Sequence, residues 1–182
     1  MRRLLFAACA GLLLAAGCVH DRAGTSAASA GPVPTPPLTP EVTGSGGAAA
    51  SVDVRATAAA LEVLGSGGNA VDAAVAASAV LGVTDPYSCG IGGGGLMVIY
   101  LAGEKRVVTV EHREAAPRAL NRGHFYANGA PIPMMEIMTS GLSSGVPGMV
   151  HGWEDALRRY GTRSLSDVLE PGIRVAERGF EV

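Results

Sequence analysis

Two short runs constrain this chain most: "GLMVIYL", Gly95 to Leu101, and "RVVTV", Arg106 to Val110. A turn at Ala102-Gly103-Glu104 separates them, so together they predict a β-hairpin. Neither run alternates cleanly. Leu96, Val98 and Tyr100 on one face are matched by Met97, Ile99 and Leu101 on the other. A strand apolar on both faces calls for layers above and below it. A bare two-stranded sheet is barely stable, and its open edges invite aggregation. The rest of the fold must therefore supply helices to cover the hairpin and strands to flank it.

The helices are legible around it. Ser51 is placed to cap a first helix whose stripe is Val52, Ala56, Ala59, Ala60, Val63 and Leu64, ending at "GSGG", Gly65 to Gly68. Asn69 caps a second helix, with Asp72 three residues on as in a capping box. That helix, "AVDAAVAASAVLGV", is apolar nearly all round and so is expected to be buried on most sides. After the hairpin, Glu114 to Gly145 is loop-rich and holds no convincing strand. A third helix runs from about Pro147 to Tyr160, with Met149, Val150, Trp153, Leu157 and Tyr160 on its apolar face and Gly161 just past its end. Ser164 opens a last helical segment, expected to kink or restart at Pro171. Four helices with two buried strands are α+β in class, and that much sheet does not complete a core. The expectation is the beginning of a larger protein.

Before Ser51 the chain changes character. "MRRLLFAACAGLLLAAGC" has two arginines, then an apolar run from Leu4 to Ala16, then small residues up to Cys18. The run is shorter than the ~20 apolar residues that span a bilayer, so it is expected to be a signal peptide. Ala15-Ala16-Gly17-Cys18 resembles a bacterial lipobox, which makes Cys18 the expected lipidation site. Residues 19–50 are rich in Pro, Ser, Thr, Gly and Ala without periodicity, as in a disordered tether between anchor and fold. Cys9 would leave with the signal and Cys18 would carry lipid. Cys89 is then left alone, which excludes an intramolecular disulfide. The formal net charge of −2 gives no basic excess, so nucleic acid is not an expected partner.

Three motifs test for chemistry. In "GIGGGG", Gly90, Gly92 and Gly95 match G-x-G-x-x-G, but a dinucleotide loop follows a strand and opens a helix. Here the loop follows a helix and enters a strand, so close backbone approach is the expected role. "GLSSG", Gly141 to Gly145, matches the nucleophile elbow at Ser143. "MMEIMTS" is a poor preceding strand, and the only downstream histidine is His151, on the helix that follows; chance clustering is expected. His112, His124 and His151 have no metal-ligand spacing, so no metal site is expected. In "EHREAAPRAL", Arg113 sits at the exit of the second strand, placed to fork onto a carboxylate with two charge-assisted hydrogen bonds.

Five blocks taken together resemble one family. They are "SGGNAVDAAVA" (66–76), "GIGGGGLMVIY" (90–100), "REAAP" (113–117), "SGVPGMVHG" (144–152) and "VAERGFEV" (175–182). Their order and identity resemble the large subunit of γ-glutamyltransferases (γ-glutamyltranspeptidases). The resemblance implies the N-terminal part of a four-layer α/β/β/α N-terminal-nucleophile hydrolase sandwich. It implies a proenzyme that cuts itself into large and small subunits, exposing a threonine nucleophile at the start of the small one. The implied reaction moves the γ-glutamyl group of glutathione or a related amide to water, an amino acid or a peptide, without a cofactor.

It further implies that Arg113, in the R-E-x-A-P block, binds the α-carboxylate of the glutamyl group. The implied threonine and oxyanion donors belong to the small subunit. No catalytic residue is therefore expected in these 182 residues, which alone should be inactive. The full protein is expected to be exported, with a lipid on Cys18 holding it to a membrane and facing the periplasm or cell exterior. Other functions fit the same scaffold: action on β-lactam side chains, poly-γ-glutamate transfer, or a non-catalytic binding lipoprotein.

Overall fold

The computed structural model describes residues 31–32 and 43–182. The signal peptide, Cys18 and most of the tether lie outside the described residues. The first helix, α1 (Val54–Gly65), is capped by Asp53, whose side chain accepts from the Arg55 and Ala56 amides. Ser51 does not cap it as expected. Its hydroxyl bonds the Asp53 carbonyl and Thr57 Oγ1, leaving the stronger acceptor two residues nearer the helix. Helix α2 (Ala70–Thr84) begins as predicted, with a complete Asn69–Asp72 capping box. A one-turn helix, α3 (Pro86–Cys89), leads into the glycine loop.

Strands β1 (Leu96–Leu101) and β2 (Arg106–Glu111) pair antiparallel with Leu96 opposite Glu111 and Leu101 opposite Arg106. A second ladder, β3 (Tyr126–Ala127) with β4 (Ala130–Pro131), is only two residues long. Helix α4 (Met134–Met138) follows, then α5 (Met149–Tyr160) and α6 (Leu165–Arg178). Helix α5 starts two residues after Pro147, with Gly148 at its N-cap. Helix α6 is one continuous helix with Pro171 inside it, not two segments. Both Pro171 and Gly172 are buried, and a Cβ on Gly172 would stand only 3.2–3.3 Å from Ala79 of α2. Packing on α2 thus holds the helix through the residue that lacks its N–H.

The core forms where α2 meets α1, α5 and α6. Val63, Ala73, Val75, Ala76, Met149, Trp153, Leu157 and Val168 make one cluster, and Ala49 just before α1 packs against it. A second joins Ala56, Ala59, Val80 and Val175. A third joins helices to sheet, with Ile99 and Val110 against Val71 and Ala156. Burying the larger of these side chains, such as Val, Leu, Ile and Met, stabilises by about 1.5–3 kcal/mol each, so these contacts set the relative positions of the elements.

Only one face of the hairpin takes part. Met97, Ile99, Val108 and Val110 face the helices. Leu96, Val98, Tyr100 and Val107 are 59–72% exposed. Among the described residues, the second covering layer expected from the sequence is absent. At the turn between α5 and α6, the buried Asp72 carboxylate accepts from the Asn69, Thr162 and Arg163 amides and the Thr162 hydroxyl. Arg55, beneath the ring of Phe180, donates to the Glu181 carbonyl and ties the start of α1 to residues 180–181.

Candidate functional site

The candidate site grows from the exit of β2. His112 extends the β-ladder by one pair, exchanging backbone bonds with Gly95 at 2.9 and 3.2 Å. Next, the chain passes between two glycines. A Cβ on Gly94 or on Gly148 would overlap the His112 carbonyl oxygen, so only glycine lets the loop and the start of α5 close on this peptide. The Gly93 carbonyl accepts from the Gly148 and Met149 amides at 2.9 and 3.0 Å. That takes up amides at the start of α5 which an anion would otherwise need. The glycine loop is a packing device, as its order in the chain predicted.

Beyond this point Ala115 and Val146 exchange backbone bonds at 3.2 and 2.8 Å. The bridge draws Gly141–Gly145 alongside Arg113–Ala116 and opens a cleft of about 480 Å3 between them. Arg113, Glu114, Ala116, Leu120, Leu142, Ser143 and Ser144 are among its lining residues. The volume falls within the roughly 300–1,000 Å3 of small-molecule sites.

Arg113 carries the cleft's positive charge. Its side chain is 60% exposed, and its guanidinium reaches Glu114 Oε2 at 3.3 Å. An exposed pair of this kind contributes at most about 1 kcal/mol, so an incoming carboxylate can compete for the guanidinium. Arg113 is therefore where the sequence placed it, at a strand exit, with a local carboxylate as its present partner.

The GLSSG segment is not an elbow. Gly141–Ser143 is a 3-10 turn. The Ser143 hydroxyl donates to the Ser140 and Met138 carbonyls at 3.0 and 3.3 Å. His151 is exposed on α5, and among the described residues no serine hydroxyl bonds a histidine. Yet Ser143 and Ser144 line the Arg113 cleft, a role that motif matching did not suggest. Its sequence signal was the Ser144-Gly145 pair that opens the 144–152 block. Among the described residues, no group of three His, Cys, Asp or Glu side chains is arranged to hold a metal ion.

A second cleft of about 440 Å3 lies where α1 ends and α6 begins. Its arginine, Arg163, already donates to the Ser66 carbonyl, and its carboxylates, Asp167 and Glu170, would oppose an anion. The Arg113 cleft is the better candidate.

Comparison with known proteins identifies the family. The family model of Gamma-glutamyltranspeptidase matches residues 56–182. The chain belongs to the gamma-glutamyltranspeptidase family. It is 42% identical over 111 residues to the glutathione hydrolase proenzyme of Bacillus subtilis (strain 168), covering 60% of this chain and 19% of that protein. It is 37% identical over 136 residues to the glutathione hydrolase proenzyme of Escherichia coli (strain K12), covering 75% and 23% respectively.

In three dimensions it is similar to the gamma-glutamyltranspeptidase of Helicobacter pylori, with a TM-score of 0.72 at 38% identity. That superposition covers 78% of this chain and 40% of the solved one. The chain thus spans about a fifth to a quarter of the curated relatives, and carries an α+β part of the fold of this family. All five sequence blocks lie within the matched span.

Proposed function

We propose that this chain forms part of a γ-glutamyltransferase in which Arg113 binds the α-carboxylate of the γ-glutamyl donor. The observation that carries the reading is the position of the Arg113 guanidinium: exposed, at the mouth of a ligand-sized cleft, and held only by a weak pair. Family membership supports the following reaction. A threonine hydroxyl outside these 182 residues attacks the γ-amide carbon of glutathione or a related donor, and its α-amine takes the proton. The C–N bond breaks, the amine leaves with a proton, and a γ-glutamyl ester remains. Water then releases glutamate, or an amino acid or peptide amine accepts the group. The threonine arises by self-cleavage into large and small subunits. The donor's α-carboxylate lies away from the bonds that change, so Arg113 serves binding and orientation.

The enzyme works outside the cytoplasm, exported by residues 1–18 and held at a membrane by a lipid on Cys18. Ala15-Ala16-Gly17-Cys18 and the 19–50 tether support this location.

The test compares Arg113→Ala and Arg113→Lys in the full-length protein. Charge-assisted bonds contribute about 1.5–3 kcal/mol each, so losing a fork of two should raise KM for glutathione by at least about 100-fold. Lysine should recover part of that loss, keeping the charge without the planar fork. Self-cleavage should survive both changes. Unchanged KM and kcat in Arg113→Ala would remove the assignment. Failure to self-cleave would make Arg113 a structural ion-pair residue. Activity confined to β-lactam side chains or poly-γ-glutamate, or binding without turnover, would replace the reaction.

A further inference from the structure

We infer that His112 is a positioning residue, its imidazole a wedge that fixes Arg113 from behind. This rests on the reading of Arg113 given above. In extended backbone, successive side chains point to opposite faces. Arg113 accordingly lines the cleft, while His112 is 9% exposed and points into the body of the protein.

Two further glycines wall the imidazole. A Cβ on Gly95 would stand 3.0 Å from Cε1 and 3.5 Å from Nε2, and a Cβ on Gly152 of α5 would overlap Cγ. Nδ1 is buried with no hydrogen-bond partner, so this nitrogen does not hold the ring. Shape does. Side chain and peptide are thus gripped at four points, Gly95 and Gly152 on the ring and Gly94 and Gly148 on the carbonyl. The residue so gripped is joined by one peptide bond to the arginine that binds substrate. Close-packed interiors transmit small displacements instead of absorbing them. A shift of the ring therefore becomes a change in where the guanidinium points.

The experiment is a double-mutant cycle in the full-length protein, measuring KM and kcat for a γ-glutamyl donor together with self-cleavage. Gly95→Ala presses on the ring edge and displaces it by a few tenths of an ångström. A fork bent by this much loses part of its charge-assisted bonding, so KM should rise about three- to tenfold. Self-cleavage should be normal and kcat should change by less than about twofold, the pattern of a binding loss. His112→Ala should raise KM about tenfold or more, and His112→Phe, which restores a planar ring, should recover most of that loss. The combination Gly95→Ala/His112→Ala should be no worse than His112→Ala alone, because the methyl's collision partner is gone.

Additive effects in the double variant, or a fall in kcat with KM unchanged, would overturn the inference. The same holds if Gly95→Ala and His112→Ala both leave KM unchanged while Arg113→Ala raises it; then only the positioning role falls. If Arg113→Ala also leaves KM unchanged, the carboxylate assignment falls and the positioning role falls with it. Gly95→Ala and His112→Phe keep the interior filled, so the cycle does not depend on the cavity variant folding.

Discussion

Replacing Asp72 by asparagine should separate the body of this fold at one joint. The carboxylate is fully buried. One oxygen accepts from the Thr162 and Arg163 amides at 2.9 and 3.1 Å, the other from the Asn69 amide and the Thr162 hydroxyl at 2.8 and 2.6 Å. These bonds join the start of α2 to the turn between α5 and α6. Asparagine keeps one acceptor and turns an NH2 toward the Asn69 amide, leaving a buried donor unpaired at about 1–3 kcal/mol. The remaining bonds lose their charge assistance, which brings the total to about 3 kcal/mol.

Acid supplies the second half of the test. Burial alone would raise the Asp72 pKa, but hydrogen bonds from the Thr162 hydroxyl and the Asn69, Thr162 and Arg163 amides outweigh it and hold the carboxyl below its ordinary value. A group depressed in the folded state stabilises fully above its unfolded pKa, about 3.9, and loses that contribution as pH falls through the folded value. The gap between wild type and Asp72→Asn should therefore be full at pH 7 and narrow steadily below about pH 4. Urea unfolding of both full-length proteins across this range would measure it. A loss under about 1 kcal/mol at pH 7, or a gap that stays constant in acid, would refute the account.

Two other expectations concern the ends of the argument. Expressed alone, residues 43–182 should self-associate through the uncovered hairpin face, and Val98→Lys with Tyr100→Lys should raise the soluble monomer fraction severalfold; equal monomer fractions by size-exclusion chromatography would contradict this. The mature N-terminus should be a lipid-modified Cys18, and mass spectrometry finding a free N-terminus beyond residue 18 would exclude the anchor.

Local features were legible in the sequence. The Asn69–Asp72 box, the hairpin and the C-terminal ends of α1 and α5 follow from spacing within a few residues, and these appear as expected. The first cap was misplaced because Ser51 and Asp53 are both cap formers, and only the path of the incoming chain decides between them. Pro171 predicts a kink or a restart from its missing N–H; the helix does not restart, because α2 packs against its flank, which the sequence does not show. Arg113 stood out by type and position. Its cleft did not, because Ser143 and Ser144 reach it only when Val146 pairs with Ala115, thirty-one residues back in the chain. The wedge at His112 was equally hidden. Its walls come from Gly95 and Gly152, which no local pattern connects to it.

The alanine and glycine contacts around α2 give the core an unusual tolerance profile. At Ala56, Ala76 and Ala79, and where Gly172 meets Ala79, neighbouring helices are spaced by methyl groups and bare backbone. Long side chains can change rotamer when a neighbour grows, but a methyl has no rotamer to change. An added carbon here must translate a whole helix, whereas trimming an already small residue leaves little void. Substitutions in this region should thus be judged by volume gained more than by volume lost, the reverse of the pattern in leucine-rich interiors. Drift along α2 can exchange Ala, Gly and Ser readily, while a step to Val or Leu requires a partner change across the interface.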